Sequence, residues 1–197
     1  MYYIYTVRDT FKMPPDKFGG DIVEVASEML QKKYEGSIDK DMGVIVCVFN
    51  VRDIGDGNIY PGDPSTHHDA EFDVVTYAPH VDELVVGDVT ELAEFGAFMR
   101  IGPMDGLVHV SQIANDFLSL DRKIPAFLSK KTSLSLKKGD IAYAKISTVS
   151  MKSSVKDSKI ALTMRPTGLG KSEWAGIQEQ SQRGGNIRRP QKKPSKK

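Results

Sequence analysis

Apolar positions recur along this 197-residue chain with two periods, and the change of period marks its architecture. Tyr2 to Phe11 is rich in aromatic and β-branched residues and reads as a strand. Met13-Pro14-Pro15 closes it, because proline brings no N–H to a sheet ladder. Ile22, Val25, Ala26, Met29, Leu30 and Lys33 then follow the spacing of one helix face. Asp21 with Glu24 three places on predicts a capping box, and Gly36 suits the left-handed residue that ends a helix. Met42 to Val51 is almost wholly apolar, as in a central strand covered on both faces, and Phe72 to Tyr77 returns as its hairpin partner. Between them, Ile54 to about Ala70 is rich in Gly, Asp and Pro. Loops of more than about 12 to 15 residues in a compact domain are usually functional or disordered, and this one predicts a docking tip.

From Val85 to Glu94 the period shortens to the alternation of a half-buried strand, which Gly96 interrupts where a barrel strand bends or meets a close neighbour. Ala97 to Ile101 reads as a second strand, Gly102 to Gly106 as a turn and Leu107 to Val110 as a third strand. Phe95, Phe98 and His109 are then candidates for one outer face, where flat rings stack on unpaired bases at about 1 to 3 kcal/mol per base. The competing reading puts the two phenylalanines in the barrel core and gives His109 a structural role.

GAF at 96–98 followed by GLVHVSQI at 106–113 closely resembles the S-one RNA-binding motif, a five-stranded barrel of the OB type. The resemblance implies later strands at Asp140 to Val149, opened by Gly139, and at Lys159 to Met164. Many members of that family end the fourth strand with an acid and open the fifth with a basic residue. Ser150 takes the acidic place here, Lys159 keeps the basic one, and an extra polar loop from Met151 to Asp157 separates them. A backbone-gripping role follows for Lys159 and not for Ser150, which points to weaker or less specific binding.

Across its length the chain also resembles the archaeal RNA polymerase stalk subunits E-prime, counterparts of the seventh subunit of eukaryotic RNA polymerase II. The likeness is carried by YEGSIDKDMGVIVCV at 34–48, DIGDGNIYPGD at 53–63, the barrel segment at 87–113 and RPTGLGKSEW at 165–174. It implies an α+β protein: residues 1–80 as a small helix-on-antiparallel-sheet domain with a tip loop, 81–170 as the OB-type barrel, and 171–197 as a basic tail. In that family the tip inserts into the polymerase core near the clamp. The other stalk subunit, the counterpart of the fourth eukaryotic one, binds alongside to form a heterodimer. The barrel holds emerging single-stranded RNA during initiation and elongation. By matching motif, Gly55, Asp56, Gly57, Gly62 and Asp63 are expected to dock on the core, and Phe95, Phe98, His109, Arg100, Lys145 and Lys159 to meet RNA. No catalytic residue, metal or cofactor is implied. A free S-one protein of translation or RNA decay is the alternative.

Charge sharpens this picture. The net charge is +1, yet residues 53–99 carry no basic and 11 acidic side chains, which suits a basic protein partner more than phosphates. Residues 100–170 carry 12 basic and 5 acidic side chains, and the last 15 residues carry seven basic and none acidic. Polyanions are drawn to that half. The insert from Arg122-Lys123 through Lys130-Lys131 to Lys137-Lys138 either extends the RNA face or solubilises a loop, and the tail from Arg183 has the composition of a disordered arm.

The chemistry of an enzyme is missing. Cys47, the single cysteine, sits in an apolar run and reads as a small hydrophobe. His67-His68-Asp69 invites a zinc site and with it the remotest reading, a metal-dependent hydrolase; adjacent histidines in a loop without further ligands do not converge on one ion. Gly168-Leu169-Gly170-Lys171-Ser172 lacks the first glycine of a phosphate-binding loop. The apolar run from Gly43 to Phe49 is too short to span a bilayer, and a cytoplasmic location is expected.

Overall fold

The computed structural model describes residues 1–121, 125–129 and 134–174. Arg122, Lys123, Lys130 and Lys131 of the basic insert and the tail 183–197 lie outside the described residues. Two compact units make up the fold. No helix among the described residues is long and apolar enough to cross a membrane.

The N-terminal part runs β1 (Tyr2–Met13), α1 (Ile22–Tyr34), β2 (Ile38–Asp39), β3 (Gly43–Arg52), β4 (Asn58–Ile59) and β5 (Thr66–Tyr77). Its sheet has the order β1-β5-β3-β2, with β4 also paired to β5. Both β5 and the apolar β3 are interior strands, and Phe72 to Tyr77 is the antiparallel partner of β3 as expected. What differs is that only one face of β3 is covered. The hydrophobic run in β3 reflects one face packed under α1 through Ile45 and Val48, while Val46 and Phe49 stay exposed. Cys47 is likewise only half-buried. Helix α1 lays Val25, Ala26 and Leu30 on Phe11, Met13, Phe72 and Val74. Leu30 and Phe72 are fully buried, each worth about 1.5 to 3 kcal/mol of transfer free energy. The helix cap forms with a change of partner: Asp21 Oδ1 accepts from Val23 N–H at 2.8 Å, rather than from Glu24 as a capping box requires. Gly36, at φ +77°, provides the expected left-handed end.

The register of this sheet also changes the meaning of the acidic block. β1 pairs with β5 antiparallel over twelve residues, which sets Thr10 opposite Asp69 and Thr6 opposite Asp73. Both threonine hydroxyls donate to those carboxylates, at 2.6 and 2.8 Å. Arg52 bridges Glu71 and Asp73, each at 2.8 Å, and Lys12 pairs with Asp63 at 2.8 Å. Three of the eleven acids in 53–99, Asp63, Glu71 and Asp73, are thus paired with Lys12 and Arg52 of the first 52 positions, which the one-dimensional count could not show.

The barrel is built from β6 (Leu84–Ala93), β7 (Gly96–Ile101), β8 (Met104–His109), β12 (Ile141–Ser150) and β13 (Lys159–Thr163), closed in the order β12-β13-β8-β7-β6. Its interior holds Val89, Ala97, Met99, Val108, Ala144 and Leu162, all essentially inaccessible. Two expectations shift. The turn between β7 and β8 needs only Gly102, at φ +75°, and Pro103, so β8 starts at Met104 rather than Leu107. Val110 then leaves the strand to open a single helical turn, α2 (Val110–Ile113).

The segment expected as a basic loop carries a small sheet of its own: β9 (Leu118–Asp121), β10 (Ala126–Ser129) and β11 (Ser135–Lys137), in the order β11-β10-β9. Phe127 and Leu136 are fully buried there. Strands of three and four residues are too short to show alternation against a lysine-rich background.

One pH dependence follows. Hydrogen bonds from Arg52, then Asn50 and Thr6, hold the Asp73 carboxyl well below the usual carboxylate range. Lys12, then the Ser65 N–H and His67, do the same for Asp63. Below the unfolded value of about 3.9 the unfolded chain binds protons that the folded chain does not, so stability is present above that pH and falls as the pH drops toward the folded values. Urea unfolding should show a lower midpoint at about pH 3 than at about pH 6, and Asp73→Asn should shrink the difference.

Candidate nucleic-acid interface

The hairpin joining β6 to β7 is as tight as a hairpin allows: Ala93 pairs with Gly96, and Glu94-Phe95 forms the turn. Alternation along β7 sends Ala97, Met99 and Ile101 inward, so Phe98 and Arg100 face outward. Phe95 is 51% exposed and Phe98 half-buried, their rings edge to face with centroids 5.9 Å apart. The aromatic pair therefore lies outside the barrel core. A Cβ on Gly96 would run into the carbonyl oxygen of Val108, so glycine is what lets β7 close on β8 at this point. The Val110 N–H then donates to the Phe95 carbonyl at 2.9 Å.

That bond brings His109 to the same end of the barrel as Phe95. His109 is exposed and caps α2: its Nδ1 accepts from the Ser111 N–H at 3.3 Å and lies 2.8 Å from Ser111 Oγ. The structural role weighed for this histidine is real, and it leaves the ring at the surface.

The expected cations are less well gathered. Arg100 sits opposite Asp88 in the β6–β7 register. Lys145 is opposite Leu84, and from there to Glu91, the partner of Phe98, β6 runs about 23 Å at the ~3.3 Å rise of a strand. Lys159 opens β13 and Ser150 ends β12, both exposed. Glu91 and Glu94 flank the aromatic pair itself. Binding at this hairpin has to come from stacking more than from phosphate pairing.

The tip is more ordered than its composition suggests, because β4 and the first residues of β5 occupy part of the expected loop. His68, 8% exposed, stacks on Phe11 with centroids 5.5 Å apart. Its Nδ1 is 3.0 Å from the Gly55 carbonyl and its Nε2 2.9 Å from Thr66 Oγ1. A carbonyl only accepts, so Nδ1 carries a proton and donates to it. A Cβ on Gly57 would come 2.7 Å from this ring. His67, on the opposite face of the strand, lies 3.1 Å from Asp63, which is also paired with Lys12. The adjacent histidines thus brace the loop from two sides and do not converge.

Of the residues expected to dock, Gly55, Asp56, Gly57 and Gly62 are exposed and Asp63 is half-buried; Gly55 and Gly57 also shape the loop through their contacts with His68, and Asp63 through its pairing with Lys12. Sequence reasoning missed Ile59 and Tyr60, which are 71% and 55% exposed at the tip. The available signal was an apolar pair inside a Gly-Asp-Pro segment, where no core pattern asks for one. The Gly168–Ser172 segment is structural: Gly170 bridges Tyr143, Trp174 packs over Gly170, and Lys171 pairs with Asp140 at 3.1 Å.

Residues 8–64 match the family described as "SHS2 domain found in N terminus of Rpb7p/Rpc25p/MJ0397", and residues 78–159 match "S1 RNA binding domain". The DNA-directed RNA polymerase subunit Rpo7 of Saccharolobus shibatae is 38% identical over 174 residues, covering 88% of this chain and 97% of that one. The chain belongs to the Rpo7 family. The Rpo7 of Sulfolobus acidocaldarius is 36% identical over 88% of this chain and 94% of its own length. The DNA-directed RNA polymerase III subunit RPC8 of Bos taurus is 25% identical over 55% of this chain and 53% of its own. Rpo7 is a non-catalytic subunit of the polymerase complex. In this Rpo7-family chain Gly96→Ala should lower stability by about 1 to 3 kcal/mol, the usual range for overpacking, measured by urea unfolding. An unchanged midpoint would show that β7 and β8 do not need the close approach.

Proposed function

We infer that this chain is the larger half of the RNA polymerase stalk, docked on the core near the clamp through its tip, paired with the smaller stalk subunit, and binding emerging RNA with its barrel. Family membership supports a place in the polymerase. The observation that carries RNA binding is the pair of an exposed Phe95 and a half-buried, outward-facing Phe98 beside His109 on a closed five-stranded barrel. Exposed rings with no core to fill are what base stacking uses, and stacking tolerates any sequence. The action is positional: the tip biases the clamp during initiation, and the barrel holds the transcript made elsewhere in the complex. Docking falls to the exposed Ile59 and Tyr60 with Asp56 and Gly62, on a loop held in shape by His68 and Asp63.

Replacing Phe95 and Phe98 together by Ala should weaken binding of single-stranded RNA by about 2 to 6 kcal/mol if each ring stacks one base. The thermal midpoint of the variant should fall only modestly, since Phe95 is a surface residue and Phe98 is half-buried outside the barrel core; a collapse of stability with affinity kept would return the pair to the core. Affinity capture tests docking separately. Polymerase subunits and a small helical partner in equal amount should co-purify with the chain, and Ile59→Asp with Tyr60→Ala should abolish polymerase recovery while RNA affinity persists. Recovery of ribosomes or a nuclease complex without polymerase would favour the free S-one protein instead.

A further inference from the structure

An open cavity of about 490 Å³ lies beside α2, within the size range of small-ligand pockets. Ser111, Asn115, Asp116, Phe117 and Arg165 are among the residues lining it. Three features bear on what it takes. First, it is continuous with the aromatic surface, because Ser111 both lines the cavity and contacts the His109 ring at 2.8 Å. Second, its rim carries a flat apolar ring at the surface, Phe117, 69% exposed. Third, an exposed guanidinium is held in place at the same rim: Arg165 Nε donates to Asn115 Oδ1 at 2.7 Å, and the Asn115 amide donates to the Arg165 carbonyl at 3.3 Å. The acid in the lining, Asp116, accepts from the Phe117 N–H at 2.7 Å and from the Ser129 hydroxyl, so its charge is answered by donors.

We propose that this cavity is a nucleotide subsite: a base of single-stranded RNA stacks on Phe117 while Arg165 grips the adjoining phosphate. The proposal rests on the RNA-binding reading of the barrel and extends it. Glu91 and Glu94 beside Phe95 and Phe98 disfavour phosphates at the hairpin, and Arg100 faces Asp88. A strand leaving those rings past His109 reaches a stacking platform and a fixed cation together at the cavity. Arginine suits the role because its planar donors match phosphate oxygens.

The test measures binding of labelled single-stranded RNA of about 16 nucleotides, the upper site size of one OB fold, to the full chain and its variants. Phe117→Ala should weaken affinity roughly 5- to 150-fold, the loss of one stacked base, and Phe117→Trp should retain it. Arg165→Gln should reduce the slope of log affinity against log salt by about 0.7, one phosphate contact on a single strand. Phe95→Ala with Phe98→Ala runs in parallel. If that pair weakens binding while the Phe117 and Arg165 variants match the parent in affinity and salt slope, the subsite is wrong and the aromatic face stands. If the parent itself binds no RNA, both readings fall. Should Phe117→Ala lower the thermal midpoint, the Phe117→Trp and Arg165→Gln measurements decide. Lost polymerase recovery with unchanged RNA affinity would make the cavity a protein-docking site and overturn the proposal.

Discussion

Strands β7 and β8 meet at a point where no side chain fits. The missing Cβ of Gly96 makes room for the Val108 carbonyl, and the Val110 N–H can then reach the Phe95 carbonyl at 2.9 Å. This contact ends β8, starts α2, places His109 as its cap, and leaves Phe95 on a two-residue turn with its ring outside. The aromatic surface, the capping histidine and the cavity beyond α2 are successive consequences of one close backbone approach.

Electrostatics in the N-terminal sheet works by local answering of charge. Arg52 holds two carboxylates and Lys12 a third, while threonines on β1 supply hydroxyl donors to the acids opposite them. Exposed pairs of this kind are individually weak, at about 0 to 1 kcal/mol. Their larger effect is on recognition: a segment that reads as strongly acidic presents less uncompensated charge than its composition implies. In the barrel unit Lys171 likewise answers Asp140. Acids sit next to the aromatic hairpin, and Lys145 lies far along β6 from it.

Much of the fold was legible because its signals are local. Helix α1, with Asp21 before it and Gly36 after it, follows from spacing and end chemistry; the barrel strands follow from alternation and from the GAF and GLVHVSQI residues. How many faces of β3 are covered was not, since an apolar run looks the same whether two faces are covered or one is packed and the other left exposed. Strands β9 to β11 were hidden by their shortness, and the early start of β8 by a turn that needed only Gly102 and Pro103.

By itself the sequence determined most of the element types, the barrel motif and the aromatic residues at the β6–β7 hairpin. These depend on periods of two and 3.6 residues and on the backbone angles of Gly and Pro, all written within short windows. Tertiary structure alone decided which polar residues are spent holding the fold and which remain at the surface. His68 and Asp63 look available in the sequence and prove to be braces, while Ile59, Tyr60, Phe117 and Arg165 gain meaning only once their neighbours are known. Burial and partnership come from residues tens of positions away, as with Phe11 under His68 or Asn115 beside Arg165, and no local pattern encodes them.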